Sequence, residues 1–73
     1  MEYVLKMTSE DGRVMYAVID PHCVEIFKPI GTRNPDSDRA RATRFTHEQA
    51  AGWKLILEGG GSAIKYQIDM EPA

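Results

Sequence analysis

The chain has a single cysteine, Cys23, so no internal disulfide can form. That sets aside the stapled secreted mini-proteins and points to a reducing, intracellular setting. No apolar run approaches the ~20 residues that a membrane-spanning helix needs. The opening Met-Glu-Tyr-Val-Leu-Lys lacks the basic start and apolar stretch of a signal peptide, so a cytoplasmic location is expected. Metal ligands are scarce: Cys23, His22 and His47 fall short of the four soft or nitrogen donors of a zinc site, and no metal or cofactor is expected. Length is also short. At 73 residues the chain reads as one domain near the lower limit for folding unaided. It should have a radius of gyration of roughly 11 Å. Such a body holds one thin core and little room for the deep cleft of a small-molecule enzyme, so a non-enzymatic role is expected.

What the chain does have is an uneven charge distribution. The net charge is −2, yet four of the five arginines, Arg33, Arg39, Arg41 and Arg44, fall in one short stretch. Only Asp36 and Asp38 oppose them there. The segments before and after carry more acid than base. The result is a local cationic island on an acidic protein.

Residues 2–7 alternate, with Tyr3, Leu5 and Met7 on one side and Glu2 and Lys6 on the other, which is the pattern of a half-buried strand. Ser9-Glu10-Asp11-Gly12 is hairpin-turn chemistry. Residues 13–19 form a return strand with apolar residues on both faces: Val14, Tyr16 and Val18 on one, Met15, Ala17 and Ile19 on the other. Asp20-Pro21 stops it. Residues 22–28, with Val24, Ile26 and Phe27, read as a third strand ended by Pro29. From Gly31 to Arg41 periodicity is lost, a mobile arginine-bearing loop is expected over residues 31–44, and residues 42–45 have room for a short strand at most.

Thr46 is a helix N-cap, with Gln49 placed to complete a capping box. Ala50, Trp53, Ile56 and Leu57 then share one helical face, and Leu55 projects toward the polar side. Gly59-Gly60-Gly61 reverses the chain. Residues 63–70 alternate as a closing strand with Ile64, Tyr66, Ile68 and Met70 inward. The fold class is α+β: an antiparallel sheet of three to five strands, a helix across one face, and the order β-β-β-α-β. Trp53 should sit at the centre of the helix–sheet contact.

Chemistry is sparse. His22 and Cys23, adjacent on a strand, would point to opposite faces and could not share one ion. Cys23 and His47 carry no signature of a nucleophile pair. The three glycines follow a helix, whereas phosphate cradles precede one. The arginine stretch is the feature with functional content. Its plainer reading is a solvated loop partly neutralised by Asp36 and Asp38. Its functional reading is a docking element, since the guanidinium fork suits carboxylates and phosphates. Nucleic acid would also call for exposed aromatics. Tyr3, Tyr16, Tyr66, Phe45 and Trp53 read as core, so a protein partner is favoured. The expected contact residues are Arg33, Arg39, Arg41 and Arg44. Met15 and Ile19 join them if the second face of the return strand is left open.

The opening Met-Glu-Tyr-Val-Leu-Lys strand, the Arg-Phe-Thr-His-Glu-Gln-Ala-Ala helix entry and the isoleucine-tyrosine closing strand give the chain a plan that resembles small phage-encoded host-takeover proteins. That group includes the transcription regulators of Xanthomonas phages that act on bacterial RNA polymerase. The resemblance implies a non-enzymatic ligand of the polymerase β and β′ subunits that blocks transcription initiation and acts in antitermination. Two other classes stay open: an inhibitor of another bacterial system such as a CRISPR complex, and a small nucleic-acid-binding domain using the arginine loop.

Overall fold

The computed structural model describes residues 1–59 and 65–73. Strand β1 (Tyr3–Ser9) is central, flanked by β2 (Val14–Tyr16) and β3 (Tyr66–Pro72) in the order β2-β1-β3, with both pairings antiparallel. The short helix α1 (Pro21–Val24) follows β2, and the long helix α2 (His47–Gly59) precedes β3. The expected α+β class, with an antiparallel sheet and a helix packed across one face, is the architecture observed. The radius of gyration is 11.0 Å.

The hairpin forms for local reasons. Gly12 has φ +85°, which a side chain would resist, and its amide closes the turn on the Ser9 carbonyl at 3.0 Å. The Ser9 hydroxyl and the Arg13 amide donate to the Asp11 carboxylate and hold its pKa below the usual range, the hydroxyl contributing most. A depressed carboxylate stabilises the turn above its unfolded pKa, and the effect is lost as pH falls through the folded value.

Register sorts the side chains. Leu5, Met7, Met15, Ala17, Ile19 and Ile68 lie on the face covered by α2, where Phe45 and Trp53 are fully buried. Val14, Lys6, Asp69 and Glu71 lie on the opposite face. Tyr16 sits there too, so its expected place in the core is corrected.

The main correction concerns residues 22–28. They form no strand. Asp20 caps α1 by accepting the His22 amide at 3.0 Å, and Pro21 occupies the first helical turn. The turn ends with Phe27 at φ +52°, while the Lys28 amide reaches back to the Cys23 carbonyl at 3.2 Å. This is a Schellman-type ending with phenylalanine where glycine is usual, and the left-handed conformation costs roughly 1–2 kcal/mol. Packing offsets it. The Phe27 ring lies 6.2 Å from the Trp53 ring and against Gly52, and the Trp53 indole donates to the Val24 carbonyl at 2.9 Å.

Gly52 is therefore glycine because of Phe27. A Cβ at 52 would stand 2.5 Å from Phe27 Cε1. Gly52→Ala should gain about 1 kcal/mol of helix propensity and lose more to overlap, for a net destabilisation of about 1 kcal/mol. In a Phe27→Ala background the same substitution should become stabilising. Urea unfolding of the four proteins checks this change of sign.

Helix α2 begins as expected. The Thr46 amide donates to Gln49 Oε1 at 3.0 Å, and the Gln49 amide donates to Thr46 Oγ1 at 3.2 Å. Ala50 and Trp53 are buried, Ile56 and Leu57 are partly so, and Leu55 is exposed. The sequence-based assignments for Gly60, Gly61, Ala63 and Ile64 lie outside the described residues. Among the described residues no helix is long and apolar enough to cross a membrane.

Candidate functional site: the arginine strap

Residues 31–44, read from sequence as a mobile loop, are tied to the body at many points. Where β2 ends, the chain runs on through residues 17–20 and separates from β1. One edge of residues 16–19 is met by residues 32–36: Tyr16 and Asp36 exchange backbone hydrogen bonds at 2.8 and 3.0 Å, and the Arg33 amide donates to the Val18 carbonyl at 2.9 Å. On the other edge, residues 43–45 fill the gap left beside β1. The Thr43 amide donates to the Ala17 carbonyl at 3.1 Å, its hydroxyl accepts the Ile19 amide at 2.8 Å, and Phe45 bridges Tyr3. Two 3₁₀ turns, Pro29–Gly31 and Arg39–Arg41, take up the slack, and the Asp38 carboxylate caps the second through the Ala40 amide at 2.9 Å. A stretch without periodicity is thus a backbone-bonded strap.

The strap does not gather all four arginines. Arg39 and Arg44 line one shallow depression of ≈ 240 Å³ with Val4, Ala40 and Ala73. Arg39 reaches over the outer sheet face, with its guanidinium 6.0 Å from the Tyr16 ring centroid and donating to the Pro72 carbonyl. Arg44 pairs with Glu2 at 3.5 Å. Arg41, between them in sequence, meets Asp38 at 3.9 Å. Arg33 sits apart, at the rim of an apolar groove of ≈ 300 Å³ that Pro29, Pro35, Ile56 and Leu57 help to line. It pairs with Asp20 at 3.0 Å and donates to the Ile30 carbonyl at 3.2 Å.

Three of the four arginines thus have a carboxylate of their own chain nearby, so the cationic island is more compensated than the sequence implies. The pairs are loose. The side chains of Arg33, Arg41 and Arg44 remain 55%, 75% and 66% exposed, and exposed pairs contribute about 0–1 kcal/mol each. Arg39 has no carboxylate partner among the described residues.

Met15 and Ile19 do not form an open contact patch. Ile19 is 2% exposed and belongs to the core, because the second face of the return segment is the one that the helices cover. Met15 is half-buried on that same face.

His22 and Cys23 lie on one helical turn and not on opposite faces of a strand. Cys23 packs its Cβ and Sγ against Gly31. Among the described residues no three of histidine, cysteine, aspartate and glutamate are grouped so as to hold a metal. Sequence reasoning missed the role of Phe27 and the Asp20–Arg33 pair. Asp20-Pro21 was the available signal for the first, as a cap followed by an N1 proline.

Site and fold together define a small α+β body bearing an exposed, backbone-anchored cationic strap. No family model matches the chain, and neither the curated proteins nor the solved structures include a significant match.

Proposed function

We propose that this chain is a non-enzymatic regulator that binds a protein, gripping an acidic surface of its partner through Arg39, Arg41 and Arg44. The observation that carries this reading is an arginine strap whose backbone is already bonded to the sheet while its guanidinium groups stay exposed. A partner that docks there orders little backbone, which lowers the entropic cost of binding. The internal pairs with Glu2 and Asp38 are weak enough to be exchanged for carboxylates of the partner.

The resemblance to phage host-takeover proteins supplies the partner: the β and β′ subunits of bacterial RNA polymerase, in the cytoplasm of the host. The consequences would be inhibition of transcription initiation, together with antitermination. An affinity capture from bacterial lysate with this chain as bait, read by mass spectrometry, should recover β and β′. Recovery of neither subunit sinks the polymerase reading.

The paired substitution Arg41→Glu and Arg44→Glu should abolish the capture. The melting midpoint should move by no more than a few degrees, because exposed pairs contribute so little. Capture that survives the reversal excludes the strap as the docking element. Binding to duplex DNA or RNA with a salt slope of several counterions would transfer the strap to nucleic acid.

A further inference from the structure

Among the described residues, strand β3 is paired along one edge, and along the other only the Pro72 carbonyl is engaged, by Arg39. The parity of β1 shows which is which. Tyr3 exchanges backbone hydrogen bonds with Phe45, the Leu5 carbonyl accepts the Ala17 amide, and the Ser9 amide donates to the Arg13 carbonyl. The odd residues of β1 therefore turn their backbone polar groups toward β2 and the strap. The even residues turn theirs toward β3, as the Ala73 amide on the Glu2 carbonyl confirms. Val4, Lys6 and Thr8 stand opposite Glu71, Asp69 and Gln67. Those three β3 residues spend their amides and carbonyls on β1. Ile68 and Met70, between them, point theirs the other way.

No described residue outside β3 is hydrogen-bonded to the backbone of Ile68 or Met70. An edge of this kind is a template for another strand. The side chains beside it say which strand. On the outer face the row is Gln67, Asp69 and Glu71. Glu71 has only a distant pairing with Lys6 at 4.0 Å, and Asp69 has no ion-pair partner among the described residues. On the other face Ile68 is buried and Met70 is half-buried, leaving apolar surface at the rim.

We infer that the open edge of β3 docks an extended segment of a partner protein, with basic side chains at alternate positions over Asp69 and Glu71 and apolar ones between them over Met70. Main-chain bonds to Ile68 and Met70 supply attachment, and charge supplies selection. A second copy of this chain is the poorer occupant: paired antiparallel about Ile68 it would set a lysine, Lys65, against Glu71 only, with Gln67 against Asp69, and a shift of register sets Asp69 against itself or against Glu71. The arginine strap, which seeks acidic groups, meets this edge only at its end, where Arg39 donates to the Pro72 carbonyl.

The probe is a synthetic heptapeptide, Lys-Val-Lys-Val-Lys-Val-Lys, matched to the seven residues of β3. Its glutamate counterpart is the control. In titrations followed by amide NMR, the lysine peptide should protect the Ile68 and Met70 amides from exchange, and the glutamate peptide should not bind. Met70→Pro removes one edge donor and leaves the β1–β3 ladder intact, since the Met70 amide takes no part in it. It should weaken the peptide about tenfold. Met70→Ala keeps the amide and should weaken it less. The Arg41→Glu and Arg44→Glu protein should bind the peptide undiminished, which separates this edge from the strap.

The assignment is overturned if the lysine peptide fails to bind or if the glutamate peptide binds equally. It is also overturned if the shifts map away from β3, or if sedimentation shows the chain pairing with itself through this strand. Exchange protection in the unsubstituted protein keeps the test decisive if Met70→Pro does not fold.

Discussion

Trp53→Ala should leave the chain largely unfolded at 37 °C. Trp53 is fully buried, and its ring is where α2, the Phe27 corner and the sheet meet. Truncating such a ring costs about 3–5 kcal/mol. A domain of this size has a total stability of about 4–11 kcal/mol, so one substitution removes roughly a quarter of it or more. The loss has two parts that can be separated. Trp53→Phe keeps most of the apolar volume but removes the indole donor, leaving the Val24 carbonyl without its 2.9 Å partner. That part should cost about 1–3 kcal/mol. Thermal melts followed by circular dichroism should therefore rank wild type above Trp53→Phe above Trp53→Ala. A melting curve unchanged by the alanine substitution would refute the packing of α2 described above.

Gly31→Ala should be nearly as damaging, although only one methyl group is added. A Cβ at Gly31 would fall 2.3 Å from Cys23 Cβ and 2.7 Å from its Sγ. Cys23 Cβ is fixed to the backbone of α1 and cannot swing away, so the two segments must part. The Gly31 carbonyl accepts the Asp20 amide at 2.7 Å, and Asp20 both caps α1 and holds Arg33. Displacing Gly31 therefore disturbs a cap, an ion pair and the start of the strap together. A loss of about 2–3 kcal/mol is expected, lowering the melting midpoint by about 10 °C or more. Cys23→Ala should not rescue it, because the offending Cβ remains. Cys23→Gly in the same background should restore much of the loss. Rescue by Cys23→Ala would show that the sulfur is the obstacle and that α1 can yield.

These two sites differ in how far the sequence reveals them. Trp53 is legible because α2 announces itself locally: the Thr46–Gln49 box starts it, and helical spacing aligns Ala50, Trp53, Ile56 and Leu57. Gly31 is not legible, since nothing in Pro-Ile-Gly-Thr tells that Cys23 lies against it. The segment 22–28 misleads for a related reason. Val24, Ile26 and Phe27 fit a short strand by composition, and a run that short cannot separate strand from helical turn by periodicity. Only burial tells them apart: Val24 turns inward, Ile26 is left 57% exposed, and Phe27 turns back onto Gly52.

By itself the sequence determined the elements whose signals are local: the alternating strands β1 and β3, the glycine turn between β1 and β2, the capped helix, and the arginines crowded between residues 33 and 44. Tertiary structure alone decided which face of residues 14–19 is covered, which arginines share a surface, and which edge of β3 has no strand partner among the described residues. The physical reason is range. Alternation, capping and turn chemistry act over a few residues, whereas burial, ion pairing and edge exposure depend on contacts between segments dozens of positions apart, such as Arg39 with Pro72 and Trp53 with Val24.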